Sequence, residues 1–330
     1  MITMRVIQTP RWWACVVSMA LAMGTQMACA DNIRYGLVTP EGHVWSGMMQ
    51  QFHDRVETGS GQTLHLKESR QVRQRGESAV LEMLASNQIQ MALVSVGALT
   101  TLDPALNSWL MPYQFADIAA AERMANTEIG QSMLASLENY NVVGIGYAFA
   151  GMRQILSKEP IVSLADFKDK QLTSYPNDVF YNWYRRLGAS PKVVPVQDML
   201  VKLENGQLDA IDCDLGTLAG LDFGKVAPNL LLTHHMASVG ILVVSKNWWG
   251  TLGADRQALI RDSYASANAW GQEQLVQHER DHLQRLRDQG VKVKELREAD
   301  FAGVPQQLRE FYYSTNNRIK AFGELAADHN

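Results

Sequence analysis

The chain has 330 residues, 46% of them apolar and 19% charged, and a formal net charge of −4. That length is ample for a packed core and corresponds to about two domains. Mild acidity argues against a nucleic-acid partner, and three cysteines are too few for a disulfide-stapled fold.

Residues 1–30 read as a secretory signal peptide. Arg5 and Arg11 form a sparse basic start, and Trp12 to Gly24 is an apolar run too short for a membrane span of ~20 residues. Ala28-Cys29-Ala30 has the form of a cleavage site. Cleavage near Ala30 leaves a chain that starts near Asp31 and has lost two arginines, which takes the formal charge from −4 to −6. Cys213 is then the only cysteine, so no internal disulfide holds the mature protein. No later stretch is apolar enough to span a bilayer. The expected location is the periplasm.

The mature chain opens with a strand over about 32–38, stopped by Thr39-Pro40-Glu41-Gly42. Trp45, Met48, Met49, Phe52 and Val56 then share one face of a helix over 44–58. A strand is expected over 62–67, a helix over 78–87, and a short buried strand over 91–96. Strands alternating with helices imply βαβ units in a twisted α/β sheet. Residues 240–244 form another buried strand, by which the chain returns to the first sheet after visiting a second. Residues 253–290 read as one helix longer than ~50 Å, enough to lie across two lobes. Asp281 and Arg285 support it as an i,i+4 pair. The alternative is two helices broken near Gly271.

Enzyme signatures are mostly absent: there is no Gly-x-Ser-x-Gly elbow, P-loop, GxGxxG or HExxH. His234-His235 is the only histidine pair, and neighbours on a strand point to opposite faces, so no metal site is expected. Cys213 reads as a small buried thiol, with a cleft nucleophile as the alternative. What remains is a binding architecture. In α/β sheets a ligand sits outside the carboxyl ends of the strands. Those ends bring together the Thr39–Trp45 turn with His43 and Trp45, Ser95 to Ala98, Arg153, Thr173 to Tyr175, and Asp212 to Asp214.

Several motifs follow one another along the chain. They are Met111-Pro112-Tyr113-Gln114-Phe115, Gly151-Met152-Arg153 ahead of Ser157-Lys158, and Leu187-Gly188-Ala189 followed by Pro191. Leu203 through Asp212, Thr233-His234-His235 and Asn247-Trp248-Trp249 complete the series. In this order they resemble the extracytoplasmic solute receptors of TRAP transporters, the DctP family, over essentially the whole mature chain. The resemblance implies a two-lobe periplasmic binding protein fold, each lobe a twisted sheet flanked by helices. The expected lobes are discontinuous: 31–150 plus about 238–272, and 151–237 plus about 273–330. It also implies a monomer that closes by hinge motion on one small organic acid and delivers it to a sodium-driven TRAP membrane permease. No cofactor and no catalysis are expected.

The same resemblance makes Arg153 the first ligand-contacting arginine, a residue whose planar fork suits a carboxylate. Lys170-Gln171-Leu172 fits a run that normally ends in a second, carboxylate-clamping arginine, but Thr173 stands in its place. Asp212-Cys213 stands where the family commonly has Glu-Asn. Arg70, Arg73 and Arg75 lie in a segment that reaches the cleft, and Arg73 is taken as the ligand-facing one. Tyr175 has the best claim of the nearby aromatic residues to the pocket. Three outcomes stay open: a carboxylate held by Arg153 and a substitute cation, a more apolar acid stacked on Tyr175, or a sensory role without transport. The functional alternatives are a ligand-sensing partner of a sensor kinase or chemoreceptor and, more remotely, a cleft enzyme using Cys213.

Overall fold

The computed structural model describes residues 31–330, apart from the side chains of Arg73 and Ser78, so the expected signal peptide lies outside the described residues. Among the described residues there are ten strands: β1 (Asp31–Gly36), β2 (Leu64–Glu68), β3 (Met91–Ser95), β4 (Val142–Ser157), β5 (Gln171–Ser174), β6 (Ser190–Val193), β7 (Ala210–Asp214), β8 (Asn229–Leu232), β9 (Ala237–Ser245) and β10 (Lys292–Glu295). Their order is β2-β1-β3-β9-β4-β7-β5-β6, with β8 beside β4 and β10 beside β8. β1 runs parallel to β2 and β3, and β5 parallel to β6 and β7. β9 is antiparallel to both β3 and β4.

The long β4 divides the molecule. Val142 to Met152 pairs with β9 in the first sheet, and Arg153 to Ser157 pairs with β7 in the second. The switch occurs at a bulge between Phe149 and Met152. Gly151 sits there with φ +98°, a conformation glycine adopts without strain. A Cβ at this position would run into the Glu279 carboxylate, which accepts the Met152 N–H at 3.2 Å. β9 is buried along its whole length and β3 over four of its five residues, as covered strands must be.

The helix at Val44–Gly59 buries Val44, Trp45, Met48, Met49, Phe52 and Val56, the stripe expected from their spacing. The helix at Ala254–Asp288 is continuous over 35 residues, about 52 Å at the standard rise. Gly271 does not break it: a Cβ there would strike the Met48 side chain, so the glycine allows the two helices to approach closely. Asp281 and Arg285 do not pair as expected. Arg285 instead reaches Asp222 at 2.9 Å, and Asp281 accepts from the Gln277 amide at 2.7 Å.

Val304–Thr315 packs on the helix Asp178–Arg186, where the Asn182 amide donates to the Tyr312 hydroxyl at 2.9 Å. The last helix, Asn317–Asp328, packs on the segments Pro104–Leu110 and Ile118–Ala125. Arg318 pairs there with Asp103 at 2.8 Å, and Ala116 N–H donates to Asn330 at 2.8 Å.

Gly151→Ala should destabilise the protein by about 1–3 kcal/mol, because it combines an unfavourable φ with a displaced Glu279. Urea unfolding measured beside the parent protein checks this.

Candidate functional site

A cavity of about 270 Å³ opens where the two sheets meet. Its polar groups include His43, Glu77, Ser95, Arg153, Asp214 and Ser238, each from a different segment. Trp45, Leu81, Leu110, Tyr175, Phe180 and Val194 are among its largely apolar walls.

Arg153 begins the second half of β4 and is 6% exposed. Its Nε donates to Asp212 Oδ1 at 2.9 Å, its Nη2 to the Asp212 carbonyl at 2.6 Å, and its Nη1 to Ser238 Oγ at 3.4 Å. The guanidinium carbon lies 4.6 Å from the Tyr175 ring centre and 4.9 Å from that of Phe180, close enough for cation–π attraction. Burial opposes its charge, but the adjacent Asp212 carboxylate prevails and holds its pKa well above the usual value. Asp212 responds in the same sense. Burial works against its ionisation, and Arg153 and then His235 overcome it to lower its pKa. The second Asp212 oxygen faces His235 Nε2 at 3.5 Å, and that ring stacks on Trp183 at 5.9 Å.

His43 caps the helix that follows it. Its Nδ1 accepts the Trp45 N–H at 3.1 Å, so the ring proton is placed on Nε2, 3.1 Å from Asp214 Oδ1. Asp214 also accepts the Thr217 N–H at 2.9 Å, which caps the helix Leu215–Gly220. Its pKa is strongly lowered: burial raises it, but His43 and the Thr217 N–H outweigh that. The pair ties a helix start beside the first sheet to the end of β7 in the second.

The structure thus brings His43, Trp45, Ser95, Arg153 and Tyr175 to the cavity, and leaves three expected contact residues outside it. Thr173 is fully buried, and its Oγ1 accepts the Asp212 N–H at 2.9 Å. It braces the strand that carries the counter-ion and does not line the cavity. Asp212 is likewise fully buried and positions Arg153 from behind. Cys213 is 1% exposed, with its sulfur 3.8 Å from the Tyr175 hydroxyl. Burial pushes its thiol up to about 12, which leaves almost no thiolate at neutral pH. The expected substitute cations divide similarly: Arg70 is exposed, Arg75 pairs with Glu82 at 3.0 Å on the surface, and the Arg73 side chain lies outside the described residues.

Phe180, Ser238 and Glu77 are among the cavity residues that were not anticipated. Phe180 belongs to an aromatic stripe with Trp183 and Tyr184, visible as an i, i+3, i+4 pattern. Ser238 lies at the start of β9, two residues ahead of the strand expected from sequence. Glu77 follows the turn residue Gly76, an acid in a polar stretch with nothing local to mark it as inward-facing.

Residues 35–318 match the model of bacterial extracellular solute-binding protein family 7, DctP. The chain belongs to that family. A C4-dicarboxylate-binding periplasmic protein of Shewanella loihica is 26% identical over 198 residues, a stretch covering 60% of this chain and 59% of that protein. The 2,3-diketo-L-gulonate-binding periplasmic protein of Escherichia coli is 22% identical over 282 residues, 85% of this chain and 86% of that one. Among solved structures, the sugar acid binding protein of Advenella mimigardefordensis with galactonate superposes with a TM-score of 0.84 at 22% identity, over 91% of this chain and 97% of its own. A TRAP periplasmic solute binding protein of Shewanella oneidensis with bound succinate gives a TM-score of 0.85 at 20% identity, over 91% and 99%. At these identities the superpositions establish the two-lobe fold of family 7 receptors.

Two measurements test the electrostatics of the site. A carboxylate held below its unfolded pKa contributes stability that is complete above that value, near 3.8, and is lost as pH falls through the folded one. Asp214→Asn should therefore be less stable than the parent at pH 7, with the difference shrinking on acidification below about pH 4. Separately, Cys213 in the native protein should resist a disulfide exchange reagent at pH 8 and react fully once unfolded.

Proposed function

We propose that the protein is a periplasmic receptor that holds one small organic acid in the cavity and delivers it to a TRAP-type membrane permease. The observation that carries this reading is Arg153, a buried guanidinium on the wall of an otherwise largely apolar cavity. Its Nη1 reaches Ser238 at a long 3.4 Å, and that side of the fork is available to a carboxylate. Membership of a solute-binding family favours delivery over a purely sensory role. The bound molecules of the related receptors, galactonate and succinate, are acids as well.

Mechanistically, the chain crosses between the sheets through β4, β9 and the helix Ala254–Asp288, and those crossings form the hinge. Lobe one takes 31–150, about 238–272 and the last helix, and lobe two takes 151–237 and the intervening segment. Acid bound between them bridges both and shifts the population to the closed form, which the permease reads. Nothing is transformed. The cavity of about 270 Å³ lies at the small end of ligand sites, so the solute is small. The family resemblance places a second, carboxylate-clamping arginine where Thr173 stands, so Arg153 anchors one acid group.

A thermal-shift screen over aliphatic, aromatic and hydroxylated acids identifies ligands, because binding to the native state alone raises Tm. Arg153→Lys keeps the charge and loses the fork. It should weaken the best acid by on the order of 10-fold to 100-fold in titration calorimetry, and an unchanged Kd would refute the assignment.

A further inference from the structure

Glu77 is an acid in the wall of a cavity assigned to an acid. Its carboxylate accepts the Ser95 N–H at 2.7 Å and the Ser95 hydroxyl at 2.5 Å. The Ser95 oxygen in turn accepts the Ala98 N–H at 3.3 Å, so its hydroxyl proton is committed to Glu77. A carboxylate offers about four acceptor positions, and Ser95 occupies two. Glu77 makes no ion pair among the described residues, although the charge of Arg153 is felt there. Burial pushes its pKa up, and the Ser95 bonds and Arg153 work against that rise. A glutamine would accept the Ser95 N–H equally well without the cost of burying a charge. A carboxylate at this place instead aims a strong acceptor into the cavity.

We propose that Glu77 receives a hydrogen-bond donor of the ligand, a hydroxyl or an ammonium, so that the receptor selects a monocarboxylic acid carrying such a donor on an apolar chain. The proposal rests on Arg153 as the seat of the acid group. Apolar walls from Trp45, Leu81, Phe180 and Val194 favour hydrocarbon between the two polar ends. A second carboxylate meets Glu77 as a like charge and is disfavoured, whereas a donor completes its hydrogen bonding. Selectivity of this kind is steep, because a site built to bond a donor is left with an unpaired buried group when the donor is missing.

The test uses a six-carbon series in which only the substituents change: hexanoate, 2-hydroxyhexanoate, 6-hydroxyhexanoate, norleucine, 6-aminohexanoate and adipate. Titration calorimetry on the full mature protein should show at least one donor-bearing member binding about tenfold or more tighter than hexanoate, with adipate weaker than that member. Glu77→Gln should then abolish the advantage of an ammonium and only reduce that of a hydroxyl, which the amide oxygen still accepts. Ser95→Ala, which frees the carboxylate from its clamp, should blunt the same preference. The proposal is overturned if hexanoate matches every donor-bearing acid, if adipate binds most tightly, if Glu77→Gln leaves the ranking unchanged, or if none of the six binds. Failure of the Arg153 assignment looks different: Arg153→Lys would then leave all six affinities unaltered while Glu77→Gln still changed them.

Discussion

A guanidinium taken out of water must be neutralised where it stands, and around Arg153 that requirement organises the site. Asp212 meets the fork with a side-chain oxygen and its own carbonyl, so the strand carrying it must be held in register to well under an ångström. Thr173 does part of this by taking the Asp212 N–H, and the pairing of β4 with β7 does the rest. Losing one partner of such a pair costs about 3–5 kcal/mol, because the other charge is left buried and alone. Tyr175 and Phe180 then pack on the faces of the cation and form cavity wall as they do so.

The remaining acids near the ligand are balanced by different means. Asp214 is paired with His43 and with a helix N-terminus. Glu77 has Ser95 alone among its described hydrogen-bond partners. With three carboxylates around one arginine, the site does not draw an anion by a broad positive field. On the proposed reading, recognition is local, made at the Nη1 edge of Arg153, and affinity depends on excluding water from that edge.

Much of the fold was legible because its signals are periodic. The stripe from Trp45 to Val56 and the apolar run at Met91 to Val94 fix a helix and a covered strand whatever their neighbours are. Gly271 misled only as an alternative, since a glycine that breaks a helix and one that admits a methionine side chain look alike in sequence. The cavity lining was legible at His43, Trp45, Ser95 and Tyr175, which stand at strand or helix ends, and at Arg153, where β4 passes from one sheet to the other. Thr173, Asp212 and Cys213 stand at such ends too, yet they serve the space behind the cavity. Which residues face forward depends on strand order and on depth below the sheet edge, and neither is written in local pattern. Glu77 was missed because its partner, Ser95, lies 18 residues away.

The register of β3 with β9 joins Met91 to Val244, residues about 150 positions apart. The first sheet therefore remains one strand short until about three-quarters of the chain has been synthesised. Pairings of that separation pay their loop-closure entropy before they return any energy, which slows folding. Until β9 is made, β3 and the first half of β4 lack the strand that joins them, and such unpaired edges are open to association with other chains.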